Sequence, residues 1–174
     1  MHKLSLKKII LKKISVTFLV CLITGFAFAQ ADSTKPIYLR FPTVPQFTIY
    51  KAADSTAFTR DSLQKKTSTV FIIFSPECEH CQRETDSLIK HIDLFKNAQI
   101  VMTTYLAYEE MVKFYKDYKI ANYPNIIMGR DAKFFFPVFF KIQSLPAIYI
   151  YDKKGKFKNS YQGSVDMKTL AEQL

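Results

Sequence analysis

Apolar and polar positions along the chain fall into alternating strand-like and helix-like stretches. Val70-Phe71-Ile72-Ile73-Phe74 is an unbroken β-branched and aromatic run, the pattern of a strand buried on both faces. Beyond it Leu88, Ile92 and Phe95 recur at spacings of four and three. Arg83, Glu84, Asp86, Lys90 and Asp93 occupy the other positions, which predicts an amphipathic helix starting near Gln82. Residues 99–105 read as a second central strand, and 109–118 as a second helix with Met111, Val112, Phe114 and Tyr115 apolar. Residues 147–151 and 157–161 form a strand pair around the turn Asp152-Lys153-Lys154-Gly155, and 166–174 close the chain as a short helix. Earlier, 47–50 reads as a short strand with 56–63 as its return. Tyr123-Pro124-Asn125 reads as a turn, and the aromatic stretch 134–140, interrupted by Pro137, fits neither period. Residues 30–45 contain Ser, Thr, Pro36, Pro42 and Pro45 and read as a linker with an extended lead-in, so the folded domain is expected over 46–174. Strands alternating with helices predict an α/β sandwich with a mixed central sheet flanked by helices.

The first 29 residues stand apart from this pattern. Lys3, Lys7, Lys8, Lys12 and Lys13 precede a largely apolar stretch, and Ala27-Phe28-Ala29 fits a cleavage site before Gln30. This is the form of a signal peptide, with an uncleaved anchor as the alternative, although the apolar stretch is short for a full span. Phe18-Leu19-Val20 before Cys21 lacks the small residue of a lipoprotein signal. The predicted location is therefore periplasmic or otherwise extracytoplasmic, with membrane contact only through the signal. Removing the five leader lysines lowers the formal charge from +10 to +5. The remaining excess is dispersed, as in Lys153, Lys154, Lys156 and Lys158, so a nucleic-acid partner loses its support.

The 174 residues less the leader leave 145, enough for one domain with a sizeable core. The only cysteines left are Cys78 and Cys81, in Ser75-Pro76-Glu77-Cys78-Glu79-His80-Cys81-Gln82. A bridge closing so short a loop adds little stability, so the pair is better explained by chemistry than by stapling. The pair lies between the strand at 70–74 and the following helix. There the first thiol meets the unpaired N–H groups and positive dipole end that favour a thiolate, and the second follows one turn later. The role of His80 has two readings. A positive imidazole would stabilise the Cys78 thiolate and make the pair oxidising; a solvent-facing ring would not. Glu77 and Glu79 oppose a thiolate, or simply complement the helix dipole. Glu84 reads more simply as a surface charge than as a proton relay for Cys81. Metal binding by Cys78, Cys81 and His80 is the alternative from another class, but the mature chain adds only His91.

Four local features together resemble the thioredoxin superfamily, within it the exported TlpA/ResA-like branch. They are the strand–CxxC–helix unit at 70–95, Ser144-Leu145-Pro146-Ala147 before a strand, the hairpin Tyr149-Ile150-Tyr151-Asp152-Lys153-Lys154-Gly155-Lys156, and Tyr161-Gln162-Gly163 before the last helix. The resemblance implies a three-layer thioredoxin-like sandwich and a protein thiol-disulfide oxidoreductase with Cys78 attacking and Cys81 resolving. It implies no cofactor beyond the redox-active Cys78–Cys81 disulfide. It also implies a cis Pro146 against the cysteines, with Leu145 and Pro146 shaping a substrate groove. Protein disulfides or dithiols would be the substrates, and a membrane redox partner would recharge the site. The chain departs from the family in lacking tryptophan, an acid in the strand before the motif and a proline in the helix after it. Its Phe-Ser-x-x-Cys-x-His-Cys pattern looks partly like oxidising DsbA, so the direction of electron flow stays open.

Overall fold

The computed structural model describes residues 35–174; the leader and the first part of the predicted linker lie outside the described residues. A seven-stranded sheet runs in the order β2-β1-β5-β4-β3-β6-β7. Its strands are β1 (Thr48–Lys51), β2 (Ala57–Thr59), β3 (Ser68–Ile73), β4 (Ala98–Thr104), β5 (Ile126–Arg130), β6 (Ala147–Tyr151) and β7 (Phe157–Gln162). β3, β4 and β5 are mutually parallel, whereas β1, β2, β6 and β7 join by antiparallel pairing, so the sheet is mixed as expected. The helices are α1 (Ile37–Arg40), α2 (Glu79–Lys90), α3 (Tyr108–Asp117), α4 (Phe135–Phe140) and α5 (Met167–Ala171). None of the described helices is long and apolar enough to cross a membrane.

The continuous apolar runs of β3, β4 and β6 follow from burial on both faces. On β3, Val70 and Ile72 face the cluster beneath α2, α3 and α5, with Leu88, Phe114 and Leu170; Phe71 and Ile73 face the cluster beneath α4, with Phe136 and Phe140. Successive side chains on a strand point to opposite faces, so two cores need two apolar sets. The second core is unusually aromatic: Phe140 stacks on Tyr149 with centroids 3.7 Å apart. The buried Tyr149 hydroxyl is satisfied, donating to the Phe140 carbonyl at 3.2 Å and accepting from the Gln162 amide at 2.7 Å.

Three segments differ from the sequence reading. Residues 37–45 are not a linker: α1 forms there, Val44 and Pro45 are buried, and Val44 N–H donates to the Gly155 carbonyl. Pro42 contributes the carbonyl that accepts from Phe157 N–H, so a proline that reads as linker punctuation serves as an acceptor for the β6–β7 hairpin. The sequence pattern also passed over β5, a five-residue strand containing Gly129. A Cβ at 129 would lie 2.8 Å from Ile49 Cδ1 and 3.0 Å from the Tyr50 carbonyl, so glycine is what lets β1 close on β5. Finally, the unassigned aromatic stretch is α4. Pro137 is tolerated because it is the third helical residue, where an N–H has no helical partner to lose. Asp131 supplies the missing cap, its Oδ2 accepting from Phe136 N–H at 2.8 Å.

Candidate active site

The parallel strand β3 ends at Ile73, and Phe74 N–H is still tied to the Thr103 carbonyl of β4 at 3.0 Å. The chain then turns through Ser75, Pro76 and Glu77, and Cys78 N–H donates back to the Ser75 carbonyl at 3.2 Å. Cys78 is the N-cap of α2: extended in backbone, with its sulfur accepting from Cys81 N–H at 3.4 Å. A cap position normally held by Ser, Thr, Asn or Asp is thus held by a sulfur, which stands where backbone donors and the helix dipole favour negative charge. Cys78 is half-buried and reachable from solvent, while Cys81, one turn inside, is only 1% exposed. Burial, reinforced by the hydrogen bond with Cys78, pushes the Cys81 thiol up to about 12.

The loop before β6 closes the other side. The Leu145–Pro146 peptide is cis, Pro146 is buried, and the Leu145 carbonyl lies 3.9 Å from the Cys78 sulfur. The sequence therefore brings together Cys78, Cys81, Leu145 and Pro146, residues up to 68 positions apart. Glu77 and Glu79 are exposed; Glu79 pairs with Arg83 at 3.5 Å across one turn. His80 is also exposed and turned toward Arg83, 3.0 Å from its Nδ1. A guanidinium can only donate, so Nδ1 accepts, and the ring engages Arg83 instead of the sulfur. Among the described residues no three His, Cys, Asp or Glu side chains are grouped to hold a metal ion. His91 is occupied at the far end of α2, with Nδ1 2.9 Å from the Ser87 carbonyl.

The reading of Glu84 as a surface charge is overturned. It is 5% exposed, its Oε1 accepts from Val165 N–H at 3.3 Å, and burial raises its affinity for a proton. Its charge in turn helps raise Cys81. The signal was present in helical spacing: Glu84 follows Cys81 by three and precedes Leu88 by four, which places it on the buried face. The aromatic stretch divides. Phe136, Phe139 and Phe140 are core, but Phe134 is exposed and, with Tyr105, Pro137, Ile142 and Leu145, walls a groove of about 380 Å³ at Cys78. Tyr105 and Ile142 carry no local pattern that links them to the cysteines; only the tertiary fold does.

No protein-family model and no curated protein sequence matches the chain. Solved structures do. A secreted Mycobacterium tuberculosis disulfide oxidoreductase homologous to E. coli DsbE matches at 20% identity and TM-score 0.62, covering 74% of this chain and 93% of its own. MTB dsbF, solved in mixed oxidized and reduced forms, matches at 20% identity and TM-score 0.63, covering 75% and 96%. StoA from Bacillus subtilis matches at 17% identity and TM-score 0.56, covering 76% and 98%. The chain has the thioredoxin-like fold, and the solved structures it resembles include thioredoxin-like disulfide oxidoreductases.

Proposed function

We propose that the protein is an exported thiol-disulfide oxidoreductase that reduces or exchanges disulfides of extracytoplasmic proteins through Cys78 and Cys81. One observation carries this reading: a half-buried sulfur caps α2 beside the cis Leu145–Pro146 peptide, with a buried second sulfur one turn behind it. As a thiolate, Cys78 attacks one sulfur of a client disulfide; a mixed disulfide forms and the client's other sulfur leaves, taking up a proton. Cys81, on losing its proton, attacks the Cys78 sulfur, closes the Cys78–Cys81 disulfide and releases the client's second thiol. Two electrons pass from the dithiol to the client, and a membrane dithiol partner restores them. Glu84, whose charge acts on Cys81, is the base that takes the Cys81 proton in this mechanism, and Leu145 offers backbone to a client segment lying as an added strand.

The reducing direction follows the resemblance of the motifs to the TlpA/ResA-like branch, and the fold's likeness to a secreted disulfide oxidoreductase homologous to DsbE supports it. His80, the residue between the cysteines, is turned to Arg83. Two measurements test the proposal. A Cys78→Ser variant is expected to lose disulfide reduction completely, and retained activity would end the mechanism. The Cys78–Cys81 reduction potential is expected nearer thioredoxin's, roughly −270 mV, than DsbA's, roughly −120 mV; a value at the DsbA end would make the protein an oxidase.

A further inference from the structure

The apolar surface at Cys78 does not stop at the groove already described. Phe134, one wall of that groove, is also a wall of a second one of about 570 Å³ that includes Phe47, Phe135, Val138 and Phe139. Val138, at 62%, is the most exposed large apolar side chain among the described residues, and Phe134 is exposed at 48%. The polar lining of the second groove includes one acid, Asp61, and one base, Lys133, so no net charge selects its occupant. Phe134 is fixed in place by a left-handed backbone, φ 53°, and by an edge-on contact of its ring with Tyr105 at 4.8 Å. A prearranged ring of this kind loses little side-chain freedom when covered.

We infer that the two grooves form one track for the polypeptide beside a client's cysteine, and that clients are incompletely folded chains carrying two apolar side chains on that side. This rests on the dithiol reading of Cys78. With the client sulfur at Cys78, the nearer side chain lies against Tyr105 and Phe134, and the second, farther along the client, lies against Phe135 and Val138. The shared wall argues for a client segment and against a second copy of this chain, because a polypeptide leaving Cys78 on that side crosses Phe134 into the second groove. The apolar character argues for an unfolded client, since a folded protein keeps such side chains in its own core.

Full-length protein, its leader processed, is assayed on an extended disulfide-bonded peptide with phenylalanines beside its cysteine, on the same peptide with serines there, and on hydroxyethyl disulfide. Val138→Lys and Val138→Glu change only the second groove, at an exposed site, and opposite charges guard against a simple charge effect. Both variants are expected to lower kcat/KM for the phenylalanine peptide roughly tenfold while leaving hydroxyethyl disulfide unchanged. The wild type is expected to handle the serine peptide roughly tenfold less well than the phenylalanine peptide, and the variants no worse than the wild type. Equal rates on the two peptides, or unchanged phenylalanine-peptide rates in either variant, overturn the track and leave the dithiol reading standing. A wild type inert toward peptides and hydroxyethyl disulfide alike overturns the dithiol reading, and the track with it.

Discussion

At neutral pH Cys81, held up at about 12 by burial, is a thiol, and a thiol does not attack a disulfide. In the proposed mechanism its proton passes to Glu84, the buried carboxylate one turn along α2 whose charge acts on Cys81. A Glu84→Gln variant is therefore expected to let the mixed disulfide accumulate, with its resolution slowed by roughly 10²-fold or more, the usual worth of a positioned base. Quenched-flow trapping of the mixed disulfide measures this. The same substitution has the opposite effect on stability. Burial raises Glu84 above the ordinary 4.5, so the folded chain holds this proton more tightly than the unfolded one. That stabilisation is complete below pH 4.5 and is lost as pH rises through the raised value. Urea denaturation across pH is expected to show Glu84→Gln flatter than the wild type and more stable at neutral pH. A variant that matches the wild type at every pH would mean the carboxylate is not desolvated. Cys78, Cys81 and Pro146 were legible in the sequence because their signals are local motifs. Glu84 needed the helical wheel to be applied to a charged residue.

Between elements, two residues decide how the sheet and α4 meet. Asp131 is buried and caps α4 through Phe136 N–H. Asp131→Ala is expected to cost about 1–2 kcal/mol in urea denaturation, the value of a cap whose loss leaves a buried donor unpaired. Gly129→Ala is expected to cost about 1–3 kcal/mol, because its Cβ meets Ile49 Cδ1 and the Tyr50 carbonyl. Ile49→Ala removes both side-chain obstructions, Cδ1 at 2.8 Å and Cγ1 at 2.9 Å, so the double variant should be more stable than the sum of the two losses; strict additivity would mean the strain comes from the carbonyl. The same two elements are where the sequence reading failed. β5 was hidden by brevity and its glycine. α4 was hidden because residues 134–140, all aromatic apart from Pro137 and Val138, offer no polar position to mark the solvent side.

For the molecule as a whole, the order of strands and helices was readable because β3, β4 and β6 are buried on both faces and so lack alternation. The lead-in was misread because its contacts, Thr43 with Lys156 and Val44 with Gly155, lie more than 100 residues away in sequence. Export is the prediction that belongs to this scale. Expressed with its leader in a bacterium, the protein is expected in the extracytoplasmic fraction with Gln30 as its first residue, read by N-terminal sequencing. An intact leader in the membrane fraction would establish the anchored form. A link spanning the whole domain also follows from one contact. Because Val165, just ahead of α5, gives its N–H to Glu84, the last helix is tethered to the buried carboxylate whose charge acts on Cys81. Trimming the carboxyl-terminal end of the protein would then retune its electron chemistry as well as loosen its core.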